Sequence, residues 1–476
     1  MGLWQELKDQ VAATWNTGSA TIAIAGLSKS GKTAFITSLI ANLEAASRNR
    51  AARAWLGGLD VLESGRLCSA ERPATFRPRH GRVFPFGDML ARLTADAPHW
   101  PVRTADVYEV ALDLHFWPKR QPIGGNVPAA RLRLILVDYP GEWLADTPML
   151  RQTYGEWSRV VFQRLSAAPW SEVSAGFRRL VAETAWDGAD DNETARKAAL
   201  AWQETLVAAR ALGLKWLQPA QVIRKRGQSD DVVRPPLDEP ALWFCPLPEA
   251  AIAGAGRGSL ARAMADRYAA YQKDVAAFFG QTLKEASRHL LLVDVLESLA
   301  EGQHAFLETA EVLGEVYRLL ADSHPGLFAR LFRRAGFDKV LLLATKADAI
   351  PPSQRAALAT LLRDMCVGRV AGNARIVPPQ VDFVAAVRAT EDVERPGEDG
   401  TPARVVEGKC ADTGRRRRVN WFDVPDVMPD AAAFLSRAGV RPPRFVPPQI
   451  EAGGRLGVPN LRMGRALDDL LGDLLQ

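Results

Sequence analysis

The sequence predicts an α/β fold of the P-loop NTPase class: a Ras-like, mostly parallel sheet with one antiparallel edge strand, plus a large all-α insertion. Three observations predict this class. An apolar run at 21–25 leads into residues 26–33, which have the form G-x-x-x-x-G-K-T, and a helical pattern follows. A second apolar run, 131–138, ends in D-x-x-G. From 151 to 288 the apolar spacing is that of helices.

The stretch 26–33 is the predicted phosphate-binding loop. Its small residues let backbone N–H groups converge on phosphate oxygens, and the following helix presents its positive end to the same anion. Lys32 supplies a charge for the β- and γ-phosphates, and the Thr33 hydroxyl can hold Mg²⁺. The residues expected to contact the nucleotide here are Gly26, Ser28, Lys29, Ser30, Gly31, Lys32 and Thr33.

Composition sets broad limits on the class of protein. The chain has 476 residues, of which 47% are hydrophobic and 24% charged, so one large elaborated domain or two units are expected. A net charge of +5 is mild for this length and does not by itself imply nucleic acid or membrane. Four scattered cysteines without a C-x-x-C pair predict free thiols in a reducing compartment. With no signal-peptide pattern and no long apolar run, a cytoplasmic location is expected.

The patterns divide the chain into five predicted regions. These are an N-terminal helix at 1–17, the first part of a Ras-like nucleotide-binding core at 18–150, a helical insertion at 151–288, the second part of the core at 289–390, and a C-terminal hairpin, Pro-rich connector and closing helix at 391–476. The first part of the core includes a long, loop-rich switch I region at about 47–106. Trp4 and Trp15 form a stripe on the first helix that is more typical of packing than of peripheral membrane contact.

Individual elements follow from apolar periodicity. Strands are predicted at 108–117, where the alternation indicates a half-exposed strand, and at 131–138, 290–293, 339–344 and 381–385. For 290–293 a helix is the other interpretation. Helices are predicted at about 150–166, 173–184, 192–212, 258–287, 303–321 and 459–475. Residues 403–407 and 417–422 are expected to pair as a hairpin. The basic run 415–418 lacks interleaved aromatics, so it favours a solvated hairpin over a nucleic-acid surface.

Residues 138–142, Asp-Tyr-Pro-Gly-Glu, form the predicted second switch. Asp138 can reach the Mg²⁺ shell, and the Gly141 N–H can meet the γ-phosphate. Glu142 stands where Ras-type proteins often carry a glutamine that orients the attacking water. A glutamate accepts hydrogen bonds from water but is repelled by phosphate. A slow intrinsic rate of hydrolysis is therefore expected.

Thr345, Lys346 and Asp348 lie in a T-K-x-D stretch directly after a predicted strand. In such a loop the carboxylate accepts hydrogen bonds from N1–H and the N2 amine of guanine, and adenine offers no such donor pair. The stretch therefore predicts selection of guanine nucleotides. Backbone N–H groups near Val387 and Arg388, after the next strand, are the expected second contact with the base.

Thr104 is the predicted switch I threonine, which closes over Mg²⁺ when the γ-phosphate is present, because it stands just before the strand at 108–117. Thr94 is an alternative. Arg103 raises the hypothesis of an arginine acting in cis, worth about a thousandfold in rate; an ordinary surface arginine is the other interpretation. The candidate catalytic residues are Lys32, Arg103, Thr104, Gly141 and Glu142, and the candidate metal ligands are Thr33, Thr104 and Asp138.

Taken together, these motifs resemble the YcjX-like family of bacterial P-loop GTPases. The resemblance spans nearly the whole chain and rests on residues 26–33, Phe84-Pro85-Phe86, Trp100-Pro101 with Thr104, 137–143, 292–296, 344–348 and 387–390. It implies a Ras-like GTP/GDP-binding core with a large helical insertion and an association with stress response.

The combined interpretation is a GTP/GDP-binding switch with slow Mg²⁺-dependent hydrolysis, whose two switch regions relay the nucleotide state to the helical insertion and to a protein effector or regulator. No nucleic-acid partner is expected. Two alternatives stay open: an ATP-using P-loop ATPase or kinase, and a non-catalytic, nucleotide-dependent scaffold.

Overall fold

The structure is a computed structural model of the chain. It describes residues 17–27, 29–102, 106–119, 129–223, 239–282, 286–321, 339–367, 379–396, 401–419, 424–436 and 441–476. The predicted N-terminal helix therefore lies outside the described residues, except for Thr17. Within the described ranges, no helix combines the length and apolar character that crossing a bilayer requires.

Eight strands of the described residues form one mostly parallel sheet in the order β2-β4-β5-β1-β6-β7-β8, with β3 paired to β4. The strands are β1 Thr17–Gly26, β2 Leu67–Glu71, β3 Arg82–Val83, β4 Tyr108–Phe116, β5 Ala130–Asp138, β6 Ala286–Val293, β7 Lys339–Ala344 and β8 Gln380–Phe383. The strands from β5 to β8 in this order run parallel, and β4 runs antiparallel to β5. The predicted α/β class is confirmed.

The parallel strands end at one common edge of the sheet. In the pairing register Ile24 lies opposite Asp138, and Gly26 lies opposite Leu292. Ala344 of β7 lies opposite Val293 of β6. The carboxyl edge of an open parallel sheet is where such folds bind ligands. The register therefore brings the loops after β1, β5, β6 and β7 to one place.

Helices cover both faces of the sheet. They are α1 Lys32–Arg48, α2 Asp60–Glu63, α3 Phe86–Leu93, α4 Tyr154–Leu165, α5 Trp170–Val173, α6 Ala175–Glu183, α7 Asn192–Ala211, α8 Glu249–Ala253, α9 Leu260–Thr282, α10 Val295–Ala300, α11 Gln303–Ala321, α12 Arg355–Val367, α13 Ala431–Ser436 and α14 Met463–Leu471. Ile22 and Ile24 join one buried cluster with α1 and α14, while Ala23 and Ala25 join a second cluster with α4 to α12. This alternation along β1 is the period of two that a strand buried on both faces requires.

The region after α1 contains more regular structure than its sequence predicts. It holds a 3₁₀ helix, Ala51–Leu56, then α2, β2, β3 and α3. β2 pairs antiparallel with β4 and lies outside it in the sheet. The sequence shows mainly loop in this region because elements of two to eight residues are too short to show a clear period. Tertiary burial stabilises them, as in the buried Leu67 and Ala70 of β2.

The described part of the predicted insertion is mainly helical, but two predicted boundaries are wrong. A 3₁₀ segment, Gly141–Arg151, precedes α4, and α9 ends at Thr282 so that β6 can begin at Ala286. The sequence hides the first half of β6 because Arg288 looks like a surface residue. Its guanidinium is instead buried, donating to the carbonyl of Leu470 at 2.7 Å and pairing with Asp473 at 2.5 Å.

A second, three-stranded antiparallel sheet follows the core, in the order β11-β10-β9. Its strands are β9 Thr390–Pro396, β10 Pro402–Lys409 and β11 Arg416–Val419. The predicted hairpin is confirmed as the β10–β11 pair, although 420–423 lie outside the described residues. β9 was not expected. Within the basic run, Arg416 and Arg418 pair with carboxylates of this sheet, at 3.0 Å in each case.

The predicted closing helix at 459–475 is shorter than expected. α14 begins only at Met463, because Leu461 forms a backbone bridge with Ala385 and Arg462 adopts a left-handed φ of 62°. The residues before α14 therefore brace the loop after β8. They do not extend the helix.

Candidate functional site

The loop between β1 and α1 forms a tight turn at the carboxyl edge of the sheet. The Ser30 N–H donates to the Leu27 carbonyl at 3.0 Å. Gly31, the N-cap of α1, has a φ of 81°, which glycine adopts without steric cost. Lys29 has a φ of 67°, which costs energy for a residue with a Cβ. Left-handed residues in a tight turn are a feature of backbone concavities that bind anions through their N–H groups.

The D-x-x-G segment packs directly on this loop. A Cβ placed on Gly141 would lie 2.1 Å from the carbonyl oxygen of Gly26 and 2.8 Å from its nitrogen. Gly26 is equally constrained, since its own Cβ would lie 2.0 Å from the Ser30 hydroxyl oxygen. Two predicted site glycines, more than a hundred positions apart in the sequence, are therefore in backbone contact.

Lys32 and Asp138, two predicted site residues, lie next to each other in the structure. The Lys32 ammonium forms an ion pair with the Asp138 carboxylate and donates to the carbonyl of Tyr139. The Asp138 side chain is buried. The adjacency follows from the parallel pairing of β1 with β5, which sets Asp138 opposite Ile24. The Lys32 side chain thus links the phosphate loop to the second switch.

The donors near α1 match the chemistry of Mg²⁺. The ion prefers oxygen ligands, commonly one or two from protein together with water and phosphate oxygens. Thr33 contributes a hydroxyl from the first turn of α1, and Asp138 contributes a buried carboxylate from the end of β5. Both side chains are largely buried, so an ion held there would be partly shielded from solvent. This donor set fits the ion.

The T-K-x-D loop follows β7 at the same edge. The Asp348 carboxylate is buried and accepts a hydrogen bond from the Ala389 N–H at 2.8 Å, while the Thr390 hydroxyl donates to the Asp348 carbonyl at 2.6 Å. Burial raises the pKa of Asp348, and the Ala389 N–H, Arg355 and Arg388 oppose this rise. The loop after β8 therefore positions the predicted base-recognising carboxylate.

Lys346 of this loop is held by the loop after β6. Its φ of 60° is left-handed, and its ammonium pairs with the Asp294 carboxylate at 2.5 Å. Asp294 also caps α10 by accepting from the Glu297 N–H at 3.0 Å. Glu297 in turn pairs with Lys29 of the phosphate loop at 3.3 Å. A chain of contacts thus links the T-K-x-D loop to the phosphate loop.

A buried polar pair lies below the second switch. The Tyr139 hydroxyl oxygen is 2.5 Å from Nε2 of His289 in β6, and both side chains are fully buried. Burial lowers the pKa of His289 to about 3, so its imidazole is neutral at physiological pH. Burial also raises the pKa of Tyr139 far above its usual value. The pair anchors the D-x-x-G segment to the centre of the sheet.

Several predicted site residues cannot be placed. Ser28, Arg103 and Thr104 lie outside the described residues, and the side chain of Glu142 is also outside them. The alternative Thr94 directs its hydroxyl to the Leu90 carbonyl at 3.1 Å, at the end of α3.

In the base loop, Arg388 directs its guanidinium to Asp392 at 2.9 Å, and Val387 is buried. The backbone of Ala389 makes the contact with the Asp348 carboxylate. Sequence reasoning assigned no role to Asp294 or Glu297. Asp294 directly follows an apolar strand, and this position is the sequence feature that could have marked it as a site residue.

Comparison with known proteins places this site in a family. The model of the YcjX-like family (DUF463) matches residues 20–475. A protein of Escherichia coli (strain K12) named Ras-like GTPase YcjX is 31% identical over 494 aligned residues, covering 99% of this chain and 100% of that protein. A protein of the same name from Shewanella oneidensis is 29% identical over 356 residues, covering 72% and 71% of the two chains. The motif resemblance is thereby confirmed, and this chain belongs to the YcjX-like family.

Proposed function

We propose that this chain is a guanine-nucleotide switch that binds GTP and GDP with Mg²⁺ and hydrolyses GTP slowly. One observation carries the proposal: the phosphate loop, the D-x-x-G segment and the T-K-x-D loop converge at one edge of the sheet, with Gly141 against Gly26 and the Asp348 carboxylate positioned by Ala389. The names of the two relatives support the same class of activity.

The described residues divide the work of phosphoryl transfer. Lys32 stabilises negative charge on the β- and γ-phosphates, and the Gly141 N–H senses the γ-phosphate. Thr33 and Asp138 would hold Mg²⁺, which when bound neutralises phosphate charge. Thr104 as a further ligand and Arg103 as a cis arginine complete the proposal from their sequence positions. Glu142 at the water-orienting position supports a slow rate, because a carboxylate is repelled by the γ-phosphate.

Contacts of the helical insertion support a relay from the second switch. The Tyr268 hydroxyl of α9 donates to the Met149 carbonyl at 3.0 Å and to the Gln152 carbonyl at 3.2 Å. The Tyr271 hydroxyl donates to the buried Asp146 carboxylate at 2.5 Å. Since residues 141–151 continue directly from Gly141, displacement of that segment by a γ-phosphate would pull on α9. An effector or regulator protein would read this displacement; an association with stress response rests on the family resemblance alone.

Nucleotide competition tests the proposal. Binding of fluorescent (mant) GDP to the full chain with Mg²⁺ is expected to be competed by GTP and GDP but not by ATP. Asp348→Asn is expected to weaken binding at least about a hundredfold, because a carboxylate that accepts two hydrogen bonds is lost. Asp412→Asn, which neutralises an exposed carboxylate in the turn between β10 and β11, is the control. Equal competition by ATP would favour the ATPase or kinase alternative.

Phosphate release separates the switch from the scaffold. Slow release of phosphate from GTP, abolished in Lys32→Ala, is the expected result. Tight guanine-nucleotide binding with no release under single-turnover conditions would contradict the hydrolytic part and favour the non-catalytic scaffold.

A further inference from the structure

Residues 441–450, here named the strap, connect the three-stranded sheet to the switch I region. At one end the Ala411 N–H donates to the Arg444 carbonyl at 2.7 Å. On the other side, the Trp100 Nε1–H donates to the Phe445 carbonyl at 3.0 Å, and the Gln449 amide donates to the Ala95 carbonyl at 3.2 Å. The strap is thus fastened to segments on both sides of it.

The strap also reaches the phosphate loop through a carboxylate. Arg444 pairs with Glu297 at 3.4 Å, and the same Glu297 oxygen pairs with Lys29 at 3.3 Å. The Glu297 side chain is only 13% exposed, whereas that of Arg444 is 60% exposed. Burial alone would raise the pKa of Glu297, but Lys29, Lys346 and Arg444 bring it below its usual value. Glu297 is therefore ionised and interacts with cations from three segments: the phosphate loop, the T-K-x-D loop and the strap.

The order of the strands in the sheet shows which parts of the candidate site the strap connects. Residues 95–100 precede β4, whose first residue, Tyr108, lies opposite Asp138 at the carboxyl edge. Glu297 follows β6 at the same edge. The strand that carries the phosphate loop, β1, stands between β4 and β6 in the sheet. The strap is bound to Trp100 on one side and to Glu297 of α10 on the other, so it bridges the two sides of the phosphate loop.

We propose that the strap retains the bound nucleotide, with Arg444 acting through Glu297 and Lys29 as a positioning residue that sets the rate of GDP release. This inference rests on the proposed function. Release would require the Arg444–Glu297 pair to part, so that the strap and the switch I region can move away from the phosphate loop. An ion pair with one largely exposed partner contributes little stability and is screened by salt. The Arg444–Glu297 pair can therefore break readily when GDP leaves.

The dissociation rate of mant-GDP, measured by stopped-flow chase with excess GDP, tests the proposal. Arg444→Ala is expected to release GDP about threefold to fivefold faster than the unaltered chain. The isosteric Glu297→Gln should accelerate release at least as much, because it also removes the charge that pairs with Lys29. Adding Arg444→Ala to Glu297→Gln should produce no further increase. Arg444→Lys should restore most of the retention. Arg455→Ala is the matched control, because it removes an exposed arginine that also pairs with a glutamate, Glu451, at 3.0 Å.

Ionic strength supplies a readout that mere structural damage would not produce. Added KCl should accelerate release from the unaltered chain toward the rate of Arg444→Ala, whereas the variant should respond little. Unchanged release in both Arg444→Ala and Glu297→Gln, with normal GDP binding by the unaltered chain, would overturn the strap and leave the nucleotide site standing. Failure of the unaltered chain to bind GDP would overturn both.

Discussion

At the scale of single residues, the contact between Gly141 and Gly26 determines whether the two phosphate-sensing segments can meet. Backbone atoms of Gly26 leave no room for a side chain at Gly141. Backbone cannot rotate away as a flexible side chain could, so any Cβ must displace the phosphate loop itself. D-x-x-G needs its glycine for a steric reason in addition to its N–H.

Gly141→Ala is therefore expected to reduce the free energy of unfolding by about 1–3 kcal/mol and to lower GDP affinity at least tenfold. Gly155→Ala is the matched control: this glycine lies in α4, and its added Cβ meets nothing within 4 Å. The control should be neutral or stabilising by up to about 1 kcal/mol, since alanine favours the helix. Urea unfolding and mant-GDP titration measure both quantities. Equal behaviour of the two variants would contradict the steric argument.

At the scale of elements, the 3₁₀ segment Gly141–Arg151 docks on α9 through a buried carboxylate. Asp146 accepts from the Tyr271 hydroxyl at 2.5 Å and from the Ala220 N–H at 2.9 Å. Burial raises the pKa of Asp146 to about 7, although these two donors oppose the rise. The titratable Tyr268 also lies close enough to interact with Asp146. The docking contact is thus sensitive to protonation near neutral pH.

The sign of the pH effect follows from proton linkage. Between the unfolded value of 3.8 and the folded value of about 7, the folded state binds the proton more strongly. The contribution to stability is fully present below 3.8 and is lost as the pH rises through about 7. It amounts to at most about 4 kcal/mol.

Asp146→Asn should therefore remove a pH dependence of stability. An asparagine can still accept from the Ala220 N–H and pair with the Tyr271 hydroxyl without titrating. Urea midpoints at pH 5.5 and pH 8 are expected to fall with pH for the unaltered chain relative to the variant. A parallel decline in both proteins would show that other groups carry the dependence.

At the scale of the whole molecule, the helical insertion and the sheet share one core. A single buried cluster contains Ala23 and Ala25 of β1, Trp157 and Trp202 of the insertion, and Leu342 of β7. Helices that bury their apolar face against a sheet gain most of their stability from that contact. Neither part has a complete core without the other.

The two parts are accordingly expected to unfold together. Hydrogen exchange followed by mass spectrometry across a urea series should show peptides from α4, α9, β6 and β7 losing protection at the same urea concentration. Peptides at the exposed tip of the β10–β11 hairpin provide a comparison that loses protection earlier. Loss of protection in α4 and α9 well before β6 and β7 would contradict a shared core.

Local pattern was enough to predict the fold class and most of the candidate site. The phosphate loop, D-x-x-G and T-K-x-D are contiguous motifs, and apolar runs identified the central strands, so Lys32, Asp138 and Asp348 could be named from the sequence. β2 escaped prediction because it depends on pairing with β4, which follows much later in the chain. β9 escaped because its residues are mostly polar and exposed, so it shows no apolar alternation. The first half of β6 escaped because the partner of Arg288 lies in the last residues of the chain.

The sequence by itself determined which chemical groups this protein carries and which strands they follow, because those properties depend on neighbouring residues. Only the tertiary structure decided which groups meet. The contact of Gly141 with Gly26, the support of Asp348 by Ala389, and the joining of Lys29 to Arg444 through Glu297 link positions far apart in the chain. Such contacts depend on which strands pair and in which register. The apolar periodicity of a short stretch of sequence does not specify which distant strands pair.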